Sequence, residues 1–344
     1  MTSPPPLLAT IWRGSLAEAA LRGHAVVADS AGSVLSAVGD PQVVVPMRSC
    51  VKPIQAFPFV ELAADRLGVT SEEVAIACGS HYGEDVHVAT VRRMLARVQL
   101  DETSLACGPQ LPVDPASARR LLAAGQGPQR IYNNCSGKHA GMLAACVVAG
   151  WPVQGYADPE HPCQLAVRAA LSRVLGVSLD GAGWGIDGCG LPTYGVPLVA
   201  LARAFAAGQR EAAFRRCQDA MAEHPRLVAG TGAFDTALLE HAGDTITAKI
   251  GGAALWAGVL RAPGVGVALK LEAGNIEAIP PVALAILQRL GAVPQPPPGA
   301  LEPFGRPSLR NWEGAVVGET RVEAAALEAL TPVVRPPIVP REEC

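Results

Sequence analysis

The stretch GVGVALKL, residues 264–271, decides the fold class of this chain. A short apolar run of this kind, bounded by turn residues, is typical of a strand buried in the middle of a sheet. A further strand is predicted just upstream over residues 245–250. Near the other end, HAVVAD (24–29) and VLSAV (34–38) flank a short glycine-containing loop and predict a β-hairpin. Strands at both ends of the chain therefore predict one antiparallel sheet built from N- and C-terminal strands.

Helical patterns fill the chain between these strands, over about residues 49–224. Apolar residues share one helical face in the first of them (Val88, Val91, Met94, Leu95 and Val98), and helices over 116–124 and 164–175 end at glycines. A helix is predicted over 281–290, a proline-rich loop over about 293–308, a strand near Val316 and a last helix over 322–330. The fold class is therefore α+β, an α/β sandwich with an inserted helical part, and residues 1–344 are predicted to form a single unit.

Composition limits the function classes. The 344 residues are 49% hydrophobic and 17% charged, which excludes a disordered chain. The net charge of −3, without a block of like charges, argues against nucleic-acid binding and favours a small-molecule partner. The start, MTSPPPLLATIWRG, lacks a leader pattern, and the longest apolar run is about half a membrane span. We therefore expect a cytoplasmic protein that does not bind a membrane.

Lysine is rare in this chain. Of the 28 basic residues only four are lysines, at positions 52, 138, 249 and 270, and the rest are arginines. Arginine stays protonated, whereas a buried lysine can lose its proton and act as a base or a ligand. The few lysines are therefore candidates for chemistry, with chance retention as the alternative.

The first candidate site is RSCVKP, residues 48–53. A helix beginning at about Ser49 would place Ser49 and Lys52 on one face, three residues apart. A serine hydroxyl becomes a good nucleophile when a neighbouring base takes its proton, and a buried lysine with a lowered pKa can do this. The alternative is a helix-capping serine followed by a surface lysine.

A second serine and a second strand lysine follow in the order seen in serine acyl-transfer enzymes. Ser80 and His81 lie in the turn ACGSHYGE (77–84), and Lys270 ends the apolar strand. Enzymes with a Ser-x-x-Lys motif bring a later serine and a strand lysine to the same cleft. The S-D-N and K-T-G tripeptides that carry these residues in such enzymes differ from the sequence around Ser80 and Lys270. His81 is equally well explained as a hydrogen-bonded loop residue.

Two further loops carry polar residues. In YNNCSGKHAG (132–141) the Gly-Lys pair resembles a phosphate loop, but Tyr132 stands where that motif needs glycine, so a nucleotide site is excluded. The later turn GIDGCGLP (185–192) carries Asp187 and Cys189. Nine scattered cysteines indicate reduced thiols, so Cys135 and Cys189 are by themselves best read as buried core residues.

Six segments together resemble the L-asparaginase II family of the rhizobial type, also called class 3 asparaginases. They lie in matching order and are RSCVKPIQAFPFVE (48–61), ACGSHYGEDVHV (77–88), NNCSGKHAGMLAAC (133–146), GIDGCGLPTYGVPL (185–198), LVAGTGAFDT (227–236) and ALKLEAGN (268–275). The chain departs from this family in AKIGGAALW (248–256): family members commonly have an acidic residue in this stretch, and this chain has none.

The resemblance implies a fold like that of serine β-lactamases and glutaminases, assembly as a homodimer, and hydrolysis of L-asparagine to L-aspartate and ammonia. It implies a catalytic set of two serine–lysine pairs, Ser49 with Lys52 and Ser80 with Lys270. It also implies one zinc ion per chain, bound by Cys135, Lys138 and Cys189 with Asp187 beside them.

On this basis Ser49 is predicted to attack the amide carbonyl while Lys52 takes its proton, and the second pair passes a proton to ammonia. Arg48, His81 and Asp187 are predicted to contact the substrate. Two alternatives stay open from the sequence: an amidase, peptidase or β-lactam hydrolase of the same fold, and a non-catalytic, zinc-stabilised amino-acid-binding protein.

Overall fold

The computed structural model describes residues 4–334 of the chain. Its main sheet has eight strands, ordered β10-β11-β1-β2-β9-β8-β7 with β3 also paired to β2, and each described pairing is antiparallel. A smaller sheet has the order β4-β6-β5. The strands are β1 Leu7–Arg13, β2 Leu16–Ala28, β3 Val34–Val38, β4 Val44–Pro46, β5 Trp184–Ile186, β6 Pro192–Pro197, β7 Ile246–Gly251, β8 Leu255–Leu260, β9 Val265–Leu271, β10 Ser308–Arg310 and β11 Val316–Val322.

The helices lie mainly between β4 and β7. They are α1 Lys52–Gln55, α2 Asp65–Leu67, α3 Ser71–Ala77, α4 Asp85–Arg97, α5 Pro115–Ala123, α6 Ser136–Ala149, α7 Pro162–Leu175, α8 Leu198–Gly208, α9 Ala212–Glu223, α10 Pro225–Val228, α11 Phe234–Ala242, α12 Ile279–Arg289 and α13 Glu302–Gly305. In the part of the chain that the structure describes, no helix is both long and apolar enough to cross a membrane.

The predicted sheet is confirmed. Strand β9 lies between β2 and β8, and β2 and β3 form the predicted hairpin, so strands from both ends of the chain share one sheet. The structure adds three strands that the patterns did not reveal: β1, which pairs with β2 and β11, β8, and the short β10 beside β11.

The sheet is covered on both faces. Along β9, Val267 and Leu269 pack in the cluster that contains α12, whereas Ala268 belongs to the larger cluster with α8 and the helical part. This alternation follows from the two-residue period of a strand. At Gly266 a Cβ atom would lie 1.8 Å from the carbonyl oxygen of Ala202 in α8, so only glycine allows this close helix–sheet contact.

The helical part also follows the prediction closely. Helices α4, α5 and α7 match the predicted segments, and left-handed glycines follow α5 and α7 at Gly125 and Gly176. The small sheet β4-β6-β5 inside this part was not predicted. Its strands are three to six residues long, too short to give a clear alternation.

The predicted last helix over 322–330 is wrong. Strand β11 extends to Val322, which pairs with Ala9, and the N–H of Glu323 continues the ladder to the carbonyl of Leu8. Only a short 3₁₀ turn, Ala324–Leu327, follows. Pairing with β1 thus takes up the first two residues of the predicted helix.

Candidate active site

A cavity of about 690 Å³ opens where the edge strand β7 faces the start of the helical part. Five of the six segments that carry the family resemblance contribute residues to its lining; the exception is the last segment, 268–275. The polar side chains in the lining include Arg48, Ser49, Ser80, Tyr82, Asn133, Asn134, Cys135, Asp187, Cys189, Asp235 and Lys249. The predicted serines and both predicted metal-ligand cysteines therefore share one cavity.

Ser49 lies in a 3₁₀ turn, Arg48–Val51, and the α-helix begins only at Lys52. The predicted helix start at Ser49 is thus shifted by one turn. Because residues three apart eclipse each other in a 3₁₀ helix, Ser49 and Lys52 still lie on one face.

The ammonium position of Lys52 is fully enclosed. Its Nζ lies 2.6 Å from the carbonyl oxygen of Gly79, 2.8 Å from Ser80 Oγ and 3.5 Å from the carbonyl oxygen of Asn134. Burial lowers the pKa of Lys52, and this effect outweighs the opposing charge of Cys135. Nζ donates to all three oxygens, and loss of a proton, which burial favours, would leave a lone pair that can accept a proton from a serine hydroxyl.

The predicted pairing of Ser80 with Lys270 is not formed. Lys270 Nζ donates instead to the carbonyl oxygens of Ala253, at 2.8 Å, and Leu271, at 2.6 Å, and the residue does not line the cavity. The reason is the sheet order. Strand β8 separates β9, which carries Lys270, from β7 at the edge facing Ser49.

Lys249, and not Lys270, is the strand lysine that lines the same cavity as the two serines. It lies on β7, is buried and lines the cavity, and its Nζ lies 2.9 Å from Asp235 Oδ2. The signal was present in the sequence, since Lys249-Ile-Gly251 has the lysine and glycine of a K-T-G element. Asp235, which was also missed, holds this lysine and accepts the N–H of Ile250.

The backbone of β7 runs directly against the turn that holds Ser49. A Cβ atom at Gly251 would lie 2.7 Å from Cys50 Sγ and 3.4 Å from the nitrogen of Ser49, so glycine is needed for this approach. The N–H of Ile250 points away from β8 toward Asp235. Gly252 begins the turn that follows β7 and also lines the cavity.

Arg48 lies in the cavity wall with a backbone φ of +47°. A left-handed conformation costs energy for a residue with a side chain and is concentrated at functional sites. Its N–H donates to Thr193 Oγ1 at 3.3 Å, and its guanidinium lies above Gly252, where a Cβ atom would be 2.8 Å from Nη2. The guanidinium therefore stands at the same edge of the cavity as β7.

His81 does not line the cavity, so the structure gives no support to its predicted contact with substrate. Its side chain is fully buried, Nε2 lies 2.9 Å from Ser136 Oγ, and Nδ1 accepts the N–H of Gly83. Its ring stacks on that of His87. His81 therefore connects the loop of Ser80 with the start of α6 inside the protein.

The predicted metal ligands are brought together. Cys135 precedes α6, Lys138 lies in its first turn, and Cys189 lies in the turn that follows β5. Lys138 Nζ lies 3.2 Å from Cys189 Sγ and 4.0 Å from Asp187 Oδ2, while Cys135 Sγ lies 3.2 Å from Asn134 Oδ1. Asp187 Oδ1 accepts the N–H groups of Cys189 and Leu191 and so shapes this turn.

The charges of this group depend on one another. The hydrogen bond with Cys189 and the nearby lysines lower the pKa of Cys135 well below its usual value, although burial opposes this shift. Burial acts to lower the pKa of Lys138, but Cys189, Cys135 and Asp187 outweigh it and raise that pKa. These shifts favour a negative charge on Cys135 and a positive charge on Lys138 within the same buried group.

No set of three or more His, Cys, Asp and Glu side chains in residues 4–334 is arranged to hold a metal ion. A zinc site here would need Lys138 as its third donor. Two sulfurs and one nitrogen, buried together with a carboxylate nearby, are donor types that bind zinc. The donor chemistry therefore fits the metal, provided that Lys138 loses its proton on binding.

Comparison with known proteins agrees with these motifs. The model of the family described as L-asparaginase II matches residues 9–322. No curated protein matched the chain. Among solved structures, one described as a β-lactamase from Mycobacterium bovis aligns with 77% of this chain and 94% of its own, at 15% identity and a TM-score of 0.37. The fold described above rests on its own sheet order and not on that alignment.

The family match spans the main sheet and the whole cavity, and it implies a hydrolase acting on amides. The chain belongs to the L-asparaginase II family.

Proposed function

We propose that this protein hydrolyses L-asparagine to L-aspartate and ammonia, with Ser49 as the nucleophile. The observation that carries the proposal is the buried Lys52, whose Nζ lies 2.8 Å from Ser80 Oγ, while Ser80 and Ser49 line the same cavity. Membership of the family supports the amide substrate.

In the first step Ser49 Oγ attacks the side-chain amide carbonyl, and Lys52 accepts its proton as a neutral amine. The contact between Lys52 and Ser80 then offers a path for that proton to the leaving ammonia. Water hydrolyses the resulting aspartyl ester by the same groups in reverse order. In this account Ser80 carries protons and Ser49 carries the acyl group.

Lys249 replaces Lys270 in the proposed catalytic set. Asp235 fixes its Nζ in the cavity wall, where a positive charge stabilises the negative charge that develops during attack. The backbone N–H groups of Ser49 and Gly252 are the proposed oxyanion donors, because both residues line the cavity where β7 packs closely against the turn of Ser49.

The charged groups of the substrate have partners of opposite sign in the cavity. We assign Arg48 to the α-carboxylate, since a guanidinium binds a carboxylate through two parallel hydrogen bonds. Asp187 is assigned to the α-ammonium group. His81 has no place in this set because it is buried behind the cavity wall.

The substrate assignment predicts ammonia release from L-asparagine with a kcat/KM at least tenfold higher than that for L-glutamine. The added methylene of glutamine displaces the reacting carbonyl when the α-groups are held, and one methylene is worth about 10- to 200-fold in such pockets. Steady-state kinetics with both amides provide the test. Equal values would indicate a general amidase, and no release from either would support a binding protein.

We propose further that Cys135, Lys138 and Cys189 hold one zinc ion. When bound, the metal would fix the turns that carry Asp187 and Asn134 beside the substrate and would keep both sulfurs deprotonated. The serine and lysine residues perform the steps above, and none of those steps passes through the metal. Assembly as a homodimer and a cytoplasmic location stay predictions.

Removal of zinc, by a chelator or by Cys189→Ser, is expected to raise KM for L-asparagine more than it lowers kcat. The reason is that the ligands lie on loops that contact the substrate, whereas Ser49 and Lys52 lie in a separate turn. Kinetics before and after chelation, with elemental analysis and zinc add-back, measure this. Protein that contains no stoichiometric zinc, or a chelated enzyme with unchanged KM and almost no kcat, would contradict the account.

A further inference from the structure

Glu84 lies outside the cavity but binds the loop that forms one of its walls. The loop Ala229–Ala233 leads into Phe234 and Asp235, and Ala229, Gly232 and Ala233 line the cavity. Thr231 and Gly232 are exposed, so packing holds this part of the loop only weakly.

The carboxylate of Glu84 is almost fully buried, and both its oxygens are occupied. Oε1 accepts the backbone N–H of Thr231 at 2.6 Å. Oε2 accepts the hydroxyl of Thr231 at 3.2 Å and the Nε–H of Arg226 at 2.7 Å. Burial acts to raise the pKa of Glu84, but Thr231 and Arg226 outweigh it and lower that pKa, so the group is ionised at neutral pH.

Hydrogen bonds hold the backbone on both sides of Glu84 in place. Glu84 precedes α4, its own N–H donates to Nδ1 of His87, and Nε2 of His87 donates to the carbonyl of Arg226. On the other side of the loop, the N–H of Tyr82 donates to the carbonyl of Ala229 at 2.7 Å. The segment from Ser80 to Glu84 therefore binds the loop at two points, Ala229 and Thr231.

From these contacts we propose that Glu84 is a positioning residue, which fixes the loop Ala229–Ala233 against the cavity through the N–H of Thr231 and thereby sets the affinity for substrate. This inference rests on the proposed function for its substrate. It predicts an effect on KM and not on the chemical step, because Glu84 does not touch Ser49, Lys52 or Ser80.

The test compares Glu84→Gln with a matched control, Arg226→Gln. Both oxygens of Glu84 accept hydrogen bonds. In either orientation of a glutamine side chain, the amide nitrogen therefore replaces one acceptor and faces a donor, so at least one hydrogen bond is lost. Arg226→Gln removes the positive charge that pairs with Glu84 but leaves the N–H of Thr231 on the carboxylate. Because Glu84 is buried, losing its charged partner is expected to lower the Tm, but the contact with Thr231 and therefore KM should stay as in the wild type.

We expect Glu84→Gln to raise KM for L-asparagine about tenfold with kcat within about threefold of wild type, a change that matches the loss of one charged hydrogen bond. Hydrogen exchange of residues 227–233 should speed up in the same variant, and Glu84→Asp should restore part of both properties. Arg226→Gln should change neither.

Equal KM values and equal exchange in Glu84→Gln and Arg226→Gln would overturn the proposal, as would a loss confined to kcat. Wild-type protein that releases no ammonia would refute the proposed function instead. In that case the hydrogen exchange rates of residues 227–233, compared between Glu84→Gln and wild type, still decide whether Glu84 holds the loop.

Discussion

Ser49→Ala is expected to lower kcat for L-asparagine by about 10,000-fold or more, because losing the nucleophile of an acyl-transfer enzyme leaves only binding and oxyanion stabilisation. Lys52→Arg should be similarly inactive, since arginine keeps the charge but cannot accept a proton near neutral pH. Ammonia release by the purified variants provides the measurement.

Ser80→Ala is the matched comparison for Ser49→Ala. If Ser80 only transfers protons, its loss should cost about 100-fold, the lower range for general acid–base catalysis. A larger loss in Ser80→Ala than in Ser49→Ala would exchange the roles of the two serines. Near-normal activity in Lys52→Arg would refute its role as the base.

Lys249→Met is expected to lower kcat about 100- to 1,000-fold, whereas Lys270→Met should stay within a few fold of wild type. Lys249 lines the cavity that contains both serines, whereas Lys270 does not line it and binds backbone carbonyls. Steady-state kinetics of the two variants measure the difference. The opposite order of effects would restore Lys270 to the catalytic set.

A fold control is needed because Lys249→Met leaves the carboxylate of Asp235 buried without its ion-pair partner. Removing one member of a buried pair destabilises a protein by about 3–5 kcal/mol. The double variant Asp235→Asn/Lys249→Met removes this penalty. If the double variant recovers the wild-type Tm but stays inactive, the loss reflects catalysis; if it also recovers activity, Lys249 has only a structural role.

The sequence predicted those parts of the site that depend on local spacing. Ser49 and Lys52 are three residues apart, so either an α-helix or the observed 3₁₀ turn places them on one face. The same holds for Cys135 and Lys138 at the start of α6. Motif order along the chain also placed Ser80 correctly at the cavity.

The error at the strand lysine has a different origin. Lys249 and Lys270 lie on strands of the same sheet, and both segments read as apolar strands. Which of them forms the edge facing Ser49 depends on the missed strand β8 between them, and strand order is a property of the whole fold. His81 was misplaced for a related reason, since the sequence does not show which side of a turn is buried.

Mass spectrometry of the acylated enzyme tests the central claim most directly. The protein is mixed with L-asparagine, quenched in acid within the first turnover and digested at low pH, so that fragments containing Ser49 and Ser80 are separated. The account predicts an aspartyl ester on Ser49 in the wild type and none in Ser49→Ala. An ester on Ser80, or hydrolysis without any ester while Ser49→Ala stays active, would contradict it.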